Sequence, residues 1–155
     1  MSEVQIKNLP ESIVASVTHI GPYWETYVAF QKLHEWISKN QVKPKGNPAG
    51  LYYDNPKEIP LEKLRSEAII EVDGNSKGEG EVEIKILPPT KCACLLYKGS
   101  YADVGKRQAY LNIADFLKNN GLVYDESLPI REIYLNNPTE VKPEDLETEI
   151  QMPVK

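Results

Sequence analysis

The chain has 155 residues, and its 18 Lys and Arg against 23 Asp and Glu give it a formal charge of −5. This length and an apolar fraction of 41% predict one domain that can bury a hydrophobic core. The longest apolar runs are far shorter than the roughly 18 to 20 residues of a membrane-spanning helix, which excludes such a helix. The acidic balance, without clustered basic residues, also argues against nucleic-acid binding.

The N-terminal segment and the cysteines indicate the compartment. Residues 1–6 lack the basic and apolar segments of a secretory signal. Cys92 and Cys94 cannot build a disulfide framework, and no second Cys or His pair lies near them in the sequence to complete a zinc site. We therefore expect a cytoplasmic protein without a metal or cofactor, in which both thiols lie in the core.

Four short segments of the first half recur in the second half, in the same order and 78 to 82 residues further on. The pairs are 4–10 with 82–88, 21–23 with 99–101, 52–56 with 134–138, and 64–72 with 146–154. Such a repeat indicates two copies of one structural unit. We predict a single domain over residues 1–155, with repeat one at about 4–72, repeat two at about 82–154 and a polar linker at 73–80.

The same order of elements is predicted in both repeats. Alternating or β-branched segments predict strands, and apolar residues at three- and four-residue spacing predict helices. In repeat one the strands are 4–9, 13–20, 51–53 and 68–72, with a helix at 23–39. In repeat two the strands are 82–87, 92–98, 130–135 and 147–153, with a helix at about 102–119.

Each predicted helix has an apolar stripe that would face a sheet. The stripes are Tyr23, Tyr27, Phe30, Leu33 and Ile37 in the first helix and Val104, Ala109, Leu111, Ala114 and Leu117 in the second. Trp36 is predicted to lie in the core, and His34 on the solvated side. The pattern predicts an α+β fold of tandem strand-helix-strand-strand modules, related by a pseudo-two-fold axis, with antiparallel sheets and a central groove.

One strand of repeat two carries a candidate binding residue. On a strand over 130–135, Ile130, Glu132 and Tyr134 point to the same face. Gly50 and Tyr52 occupy the positions of Glu132 and Tyr134 in repeat one, so only one wall of the groove would carry an acid. This arrangement suits a flat aromatic or cationic ligand, because ring faces and desolvated carboxylates attract cations. The alternative is that Glu132 is a solvated residue of an edge strand.

An ordered set of motifs resembles the GyrI-like small-molecule-binding domain, which is also the effector-binding module of AraC-type and multidrug-responsive transcription activators and is related to the SOUL superfamily. The motifs are residues 21–23, Trp36, 50–56, 99–101, 132–138 and 150–154. The resemblance implies a pseudo-dimer of two modules around a ligand groove. It also implies that the glutamate of a Glu-x-Tyr motif, here Glu132 with Tyr134, contacts hydrophobic and often cationic compounds.

Further candidates follow from the predicted position of the groove. His19 and Tyr97 are at matched positions and would face its mouth, and Trp24 would lie at its rim. The complete set of candidate ligand-binding residues is Glu132, Tyr134, Tyr52, Gly50, Tyr23, Trp24, His19, Tyr97 and Tyr101. Haem ligation is associated with a related fold, but a single candidate histidine does not lead us to expect a cofactor.

The resemblance leaves three functions open. The one we favour is binding of a small hydrophobic or cationic compound, for effector sensing or toxin sequestration. The second is hydrolysis of cyclopropane-containing DNA-alkylating compounds, with Glu132 activating water and the hydroxyl of Tyr134 or Tyr52 stabilising an oxyanion. The third is a protein-binding module for gyrase or a transcription regulator. Because the module begins at residue 4 without a helix-turn-helix, we expect no direct DNA binding. The short apolar runs lead us to expect no membrane contact either.

Overall fold

The computed structural model describes residues 3–101 and 104–155, and this part of the chain contains eight strands and two α-helices. The elements are β1 Gln5–Leu9, β2 Ser12–Ile20, α1 Tyr27–Lys39, β3 Ala49–Tyr52, β4 Arg65–Glu71, β5 Val82–Leu87, β6 Thr90–Lys98, α2 Val104–Asn119, β7 Ile130–Tyr134 and β8 Glu147–Pro153. The predicted α+β order is confirmed. The predicted start of the second helix, residue 102, lies outside the described residues.

The chain folds as two compact units, which we call the first unit (residues 10–89) and the second unit (residues 1–9 and 90–155). In the first unit the strands lie in the order β3, β4, β2 and β5, with antiparallel pairing throughout. In the second unit the order is β7, β8, β6 and β1, also antiparallel. The leading strands are exchanged, because β1 pairs with β6 and β5 pairs with β2. The predicted repeat boundaries thus differ from the limits of the compact units, and they stay a prediction.

In the first unit, α1 packs against β2 and β4. Its buried residues are Ala29, Leu33 and Trp36, at the four- and three-residue spacing of one helix face. They meet Ala15, Val17, Ala68, Ile70 and Val72 of the strands and the loop after β4. Trp36 lies in the core and His34 is exposed, as predicted. Tyr27 is exposed, contrary to the predicted stripe, because residues 23–25 form a 3₁₀ turn and α1 begins only at Tyr27.

In the second unit, the buried residues of α2 are Ala109, Ile113 and Leu117. The predicted stripe for this helix was therefore partly wrong. Leu111 is 50% exposed, and Val104 and Ala114 are exposed too. Two residues along an α-helix correspond to a rotation of roughly 200°, so Leu111 lies on the side opposite Ala109 and Ile113. The buried face of α2 packs on Ala93, Leu95, Tyr97 and Ile150.

A glycine turn precedes the helical segment in each unit. Gly21 donates its N–H to the carbonyl of Leu64, and Gly99 donates to that of Leu146, each at 2.8 Å. Both glycines have positive φ angles, 138° and 152°, which residues with a Cβ rarely adopt. These turns place Tyr23 and Tyr101 at the start of the segments that follow. Neither helix in the described part of the chain has the length and apolar character needed to cross a bilayer.

Candidate functional site

Strand β7 places Glu132 and Tyr134 on the side of the second unit that faces α2. Glu132 is directly opposite Ile150 of β8, and Tyr134 is opposite Thr148. Directly opposite residues of an antiparallel pair point to the same face, and Ile150 belongs to the core under α2. The acid and the tyrosine therefore share the face that α2 covers, as their alternation in the sequence predicts.

Glu132 is only 4% exposed, and its carboxylate accepts hydrogen bonds from two elements. Lys106 of α2 lies with its Nζ 2.7 Å from Oε1, and the Tyr110 hydroxyl, one helical turn further along, donates to Oε2. From β7 itself, the Tyr134 hydroxyl donates to Oε1 at 3.1 Å. Burial of a carboxylate is costly unless it is paired and hydrogen-bonded, and here both conditions are met.

Tyr101 completes an aromatic wall beside this carboxylate. Its ring centroid is 5.3 Å from that of Tyr134, in an edge-on arrangement with an interplanar angle of 63°. The Nζ of Lys106 lies 5.9 Å from the Tyr101 ring centroid. Burial and, secondarily, the negative charge of Glu132 raise the pKa of Tyr101, so its hydroxyl stays neutral. We call Glu132, Lys106, Tyr110, Tyr134 and Tyr101 the Glu132 cluster; within it, a cation is held between a carboxylate and an aromatic ring.

The first unit has the tyrosines of this arrangement without the acid. The rings of Tyr23 and Tyr52 are 5.0 Å apart at an angle of 74°, which matches the pair in the second unit. Gly50 stands at the position of Glu132, and a Cβ built there would lie 2.5 Å from the Tyr52 hydroxyl oxygen. The Tyr52 side chain therefore covers the glycine. The Tyr23 hydroxyl donates to the carbonyl of Asp54 at 2.8 Å and is engaged in the local turn.

The helices show the same contrast. The buried Ala29 and Leu33 of α1 correspond to Ala109 and Ile113 of α2, 80 residues further on, so Thr26 matches Lys106 and Phe30 matches Tyr110. The Thr26 hydroxyl lies 3.0 Å from that of Ser66. In the second unit Thr148 stands in place of Ser66, and its buried hydroxyl has no hydrogen-bond partner among the described residues. Lys106 stands at the position of Thr26 and contacts Glu132 instead.

A second buried carboxylate, Glu67 of β4, was not predicted. It accepts hydrogen bonds from Ser16, Tyr53 and Lys85, all in the first unit. Burial raises the pKa of Glu67, but these hydrogen bonds and the Lys85 charge outweigh burial, so the pKa lies below its usual value. Ala68, the residue after Glu67, packs under α1, and so do Ala15 and Val17 on either side of Ser16. Because side chains alternate between the two faces of a strand, Glu67 lies on the opposite face of the strands.

The remaining candidates are dispersed. His19 is half-buried, with its Nε2 3.2 Å from the Pro22 carbonyl oxygen. Tyr97 is buried in the core of the second unit and donates its hydroxyl to the Ser100 carbonyl at 2.9 Å. Trp24 is 67% exposed. None of these three contacts the Glu132 carboxylate through a hydrogen bond among the described residues, and their role in binding stays a prediction.

Both cysteines are buried, as predicted. Burial raises the pKa of Cys92 to about 11 and that of Cys94 to about 12, so both remain thiols near neutral pH. In the described part of the chain, no three His, Cys, Asp or Glu side chains are grouped so that they could hold a metal ion.

Sequence reasoning missed Lys106 and Tyr110, although α2 carries a signal for both. Tracing the buried positions Leu117 and Ile113 backwards at the spacing of one helix face leads to Tyr110 and then to Lys106. A lysine on the face of a helix that packs on a sheet requires a negatively charged partner. The misplaced stripe through Leu111 hid this pattern.

A pair of α+β units, one of which buries an acid among tyrosines beside a cation, has the chemistry of a small-molecule-binding domain. Residues 2–155 match the family described as the GyrI-like small molecule binding domain, and the chain belongs to this family.

Three known proteins are similar to this chain. The DNA gyrase inhibitor of Citrobacter koseri is 33% identical over 145 residues, which cover 89% of this chain and 90% of that protein. The crystal structure of the EcmrR C-terminal domain has a TM-score of 0.76 at 25% identity and covers 99% of this chain and 97% of that domain. A protein solved with bound tetraphenylphosphonium has a TM-score of 0.66 at 19% identity, covers 99% of this chain and 94% of that one, and shares the fold.

Proposed function

We propose that this chain binds a small hydrophobic compound with a positive charge, and that Glu132 is the charge anchor. The observation that carries the proposal is the geometry around Glu132, where a buried carboxylate and the Tyr101 ring together hold an ammonium group. The family description and the bound compound in the relative support the same chemistry. Effector sensing and toxin sequestration both need this binding step.

The chemistry favours aromatic cations over small hydrated ions. An aromatic cation has a delocalised charge and loses less hydration on burial than a compact ion. Its rings would pack against Tyr101 and Tyr134, and its charge would face Glu132. Ring packing constrains ligand shape less than a fixed set of hydrogen-bond donors does, so the site suits several related aromatic cations, as in multidrug recognition.

The predicted groove adds a contribution from repeat one. The sequence predicts ligand contacts by Tyr52, Tyr23 and Gly50 of repeat one, and this part of the proposal keeps the two tyrosines, because the Tyr52 side chain covers Gly50. Tyr52→Ala and Tyr134→Ala should then each weaken binding. If only the Tyr134 variant weakens binding, the ligand contacts repeat two alone.

The experiment is a calorimetric titration of the chain with tetraphenylphosphonium, a bulky aromatic cation. Glu132→Gln keeps the size of the side chain and removes its charge, and we expect it to weaken binding by at least about tenfold. The control is Glu144→Gln, which removes an equal charge at an exposed position of the same unit. Equal affinities for the wild type and the Glu132 variant would overturn the proposal.

A second candidate function comes from the relatives. The protein from Citrobacter koseri is named a DNA gyrase inhibitor and aligns over most of this chain. Inhibition through protein contact would use an outer surface and would not require a buried carboxylate. A gyrase supercoiling assay separates the two functions, because inhibition that is equally strong with Glu132→Gln does not depend on the Glu132 cluster.

A hydrolase acting at the same residue is less consistent with the contacts. Oε1 of Glu132 already accepts hydrogen bonds from Lys106 and Tyr134, and Oε2 accepts one from Tyr110, which leaves the carboxylate little room to bind and activate a water molecule. The nearby tyrosine hydroxyls could stabilise an oxyanion, which keeps the reaction testable. We expect no turnover of a cyclopropane-containing alkylating compound. Turnover that is lost in Glu132→Gln would instead establish an enzyme.

A further inference from the structure

We propose that Lys106 determines which ligands the Glu132 cluster accepts, because its ammonium group occupies the cation position and a cationic ligand must displace it. This inference rests on the function proposed above. Lys106, as a side chain of helix α2, is then a competitor of the ligand that belongs to the chain itself.

The contacts of Lys106 are those that a cationic aromatic ligand would need. Its Nζ is 2.7 Å from Oε1 of Glu132 and 5.9 Å from the ring centroid of Tyr101. A ligand cation cannot take the same position while the ammonium group is there. The Lys106 side chain is 21% exposed, so its end can move into water without rearrangement of the helix.

Packing of the unit does not depend on this lysine. Ala109, Ile113 and Leu117 form the buried face of α2, and Lys106 is not among them. At the matched position of the first unit, the uncharged Thr26 precedes a helix that also packs on its strands. The lysine therefore compensates the charge of Glu132 and is not needed to attach the helix to the strands.

A tethered competitor selects ligands by more than their charge. The ammonium group is present at an effective concentration that is typically in the millimolar range for a short flexible tether. A small hydrated cation offers Glu132 only the same electrostatic attraction and competes poorly. An aromatic cation also buries apolar surface against Tyr101 and Tyr134, which lets it displace the lysine.

The test compares two ions of nearly the same shape and opposite charge, tetraphenylphosphonium and tetraphenylborate. Each is titrated into the wild-type chain, Lys106→Met and Lys118→Met. Lys118 is the matched control, because it is an exposed lysine on the same helix, about 18 Å from Lys106 along the axis. We expect Lys106→Met to raise the affinity for tetraphenylphosphonium by about tenfold or more, and to leave that for tetraphenylborate unchanged or lower. Lys118→Met should match the wild type.

The outcomes separate this inference from the proposed function. If the wild type binds tetraphenylphosphonium through Glu132 and Lys106→Met binds it equally or more weakly, Lys106 does not compete and the inference is wrong. If neither the wild type nor Lys106→Met binds it, the proposed function itself fails. Circular dichroism verifies that each variant is folded, and Lys106→Gln serves as the second test should the methionine variant not fold.

Discussion

The two units of this chain share their framework and differ in three side chains at one place. The edge-on tyrosine pairs, Tyr23 with Tyr52 and Tyr101 with Tyr134, have centroid distances of 5.0 and 5.3 Å. Around them the first unit has Gly50, Thr26 and Phe30, where the second has Glu132, Lys106 and Tyr110. These three differences are mutually dependent, because the acid needs the lysine and the tyrosine hydroxyl as partners. The second unit thus has one charged site at a place where the matched side chains of the first unit are uncharged.

A second ion pair shows what the units have in common. Lys85 contacts Glu67 in the first unit, and Lys7 contacts Glu149 in the second. Lys7 and Lys85 occupy matched positions, as do Glu67 and Glu149. In each unit the pair joins an exchanged leading strand to the closing strand. A charge pair present in both units belongs to the framework, whereas the pair of Glu132 and Lys106 occurs at this position in only one, as expected for a binding site.

The largest effect should come from placing the acid in the first unit alone. Gly50→Glu inserts a side chain into the space of the Tyr52 ring and buries a carboxylate where Thr26 offers no cation in place of Lys106 and Phe30 offers no hydroxyl in place of Tyr110. We expect the free energy of unfolding in urea to fall by about 3–5 kcal/mol. A loss below about 1 kcal/mol would show that the two positions are not equivalent.

The remaining two substitutions supply the control for that change. Gly50→Glu combined with Thr26→Lys and Phe30→Tyr gives the first unit the charged side chains of the second. The triple variant should recover part of the lost stability and should bind a second equivalent of tetraphenylphosphonium in calorimetry. If it is no more stable than Gly50→Glu, the set of three residues does not act together.

The next effect concerns the acid in its natural place. Glu132→Ala leaves the partly buried ammonium of Lys106 without its acceptor, and we expect a loss of about 2 kcal/mol in the free energy of unfolding. The double variant Glu132→Ala with Lys106→Met should be more stable than Glu132→Ala, because the uncompensated charge is gone. A double variant whose loss equals the sum of the two single losses would show that the residues are not coupled.

Several parts of this comparison could be predicted from the sequence. The repeat established the order of elements, and strand alternation placed Glu132 and Tyr134 on one face. The partners of Glu132 were missed because the stripe predicted for the second helix runs through the exposed Leu111. The repeat did not correct this, because repeat two has two more residues between Tyr101 and Ala109 than repeat one has between Tyr23 and Ala29.

Strand pairing explains the other omissions. Glu67 was overlooked because the closing strand was predicted to begin at residue 68, whereas β4 begins at Arg65. The exchange of β1 and β5 could not be predicted, because a repeat shows which segments are alike and not which of them pair.

The smallest effect concerns the turn after β3, where the first unit has Asp54. The matched turn of the second unit follows β7 and has Asn136. Asp54 accepts the Arg65 backbone N–H at 2.8 Å and pairs with the Arg65 guanidinium, whose side chain is 60% exposed. Asn136 accepts the Glu147 backbone N–H at 2.9 Å in the same way, without an ion pair. Asp54→Asn should therefore keep the turn and cost only about 0.5 kcal/mol of unfolding free energy near neutral pH.

Acid should remove even this difference. Hydrogen bonds from the Arg65 side chain, opposed by burial, lower the pKa of Asp54 below its usual value. A lowered pKa in the folded state means that the carboxylate stabilises the fold above its unfolded-state pKa, and that this contribution is lost as the pH falls through the folded-state pKa. Urea unfolding at a series of acidic pH values should show the wild type and Asp54→Asn converging. A gap that stays constant down to the lowest pH would mean that Asp54 acts through its shape and not through its charge, as Asn136 does in the second unit.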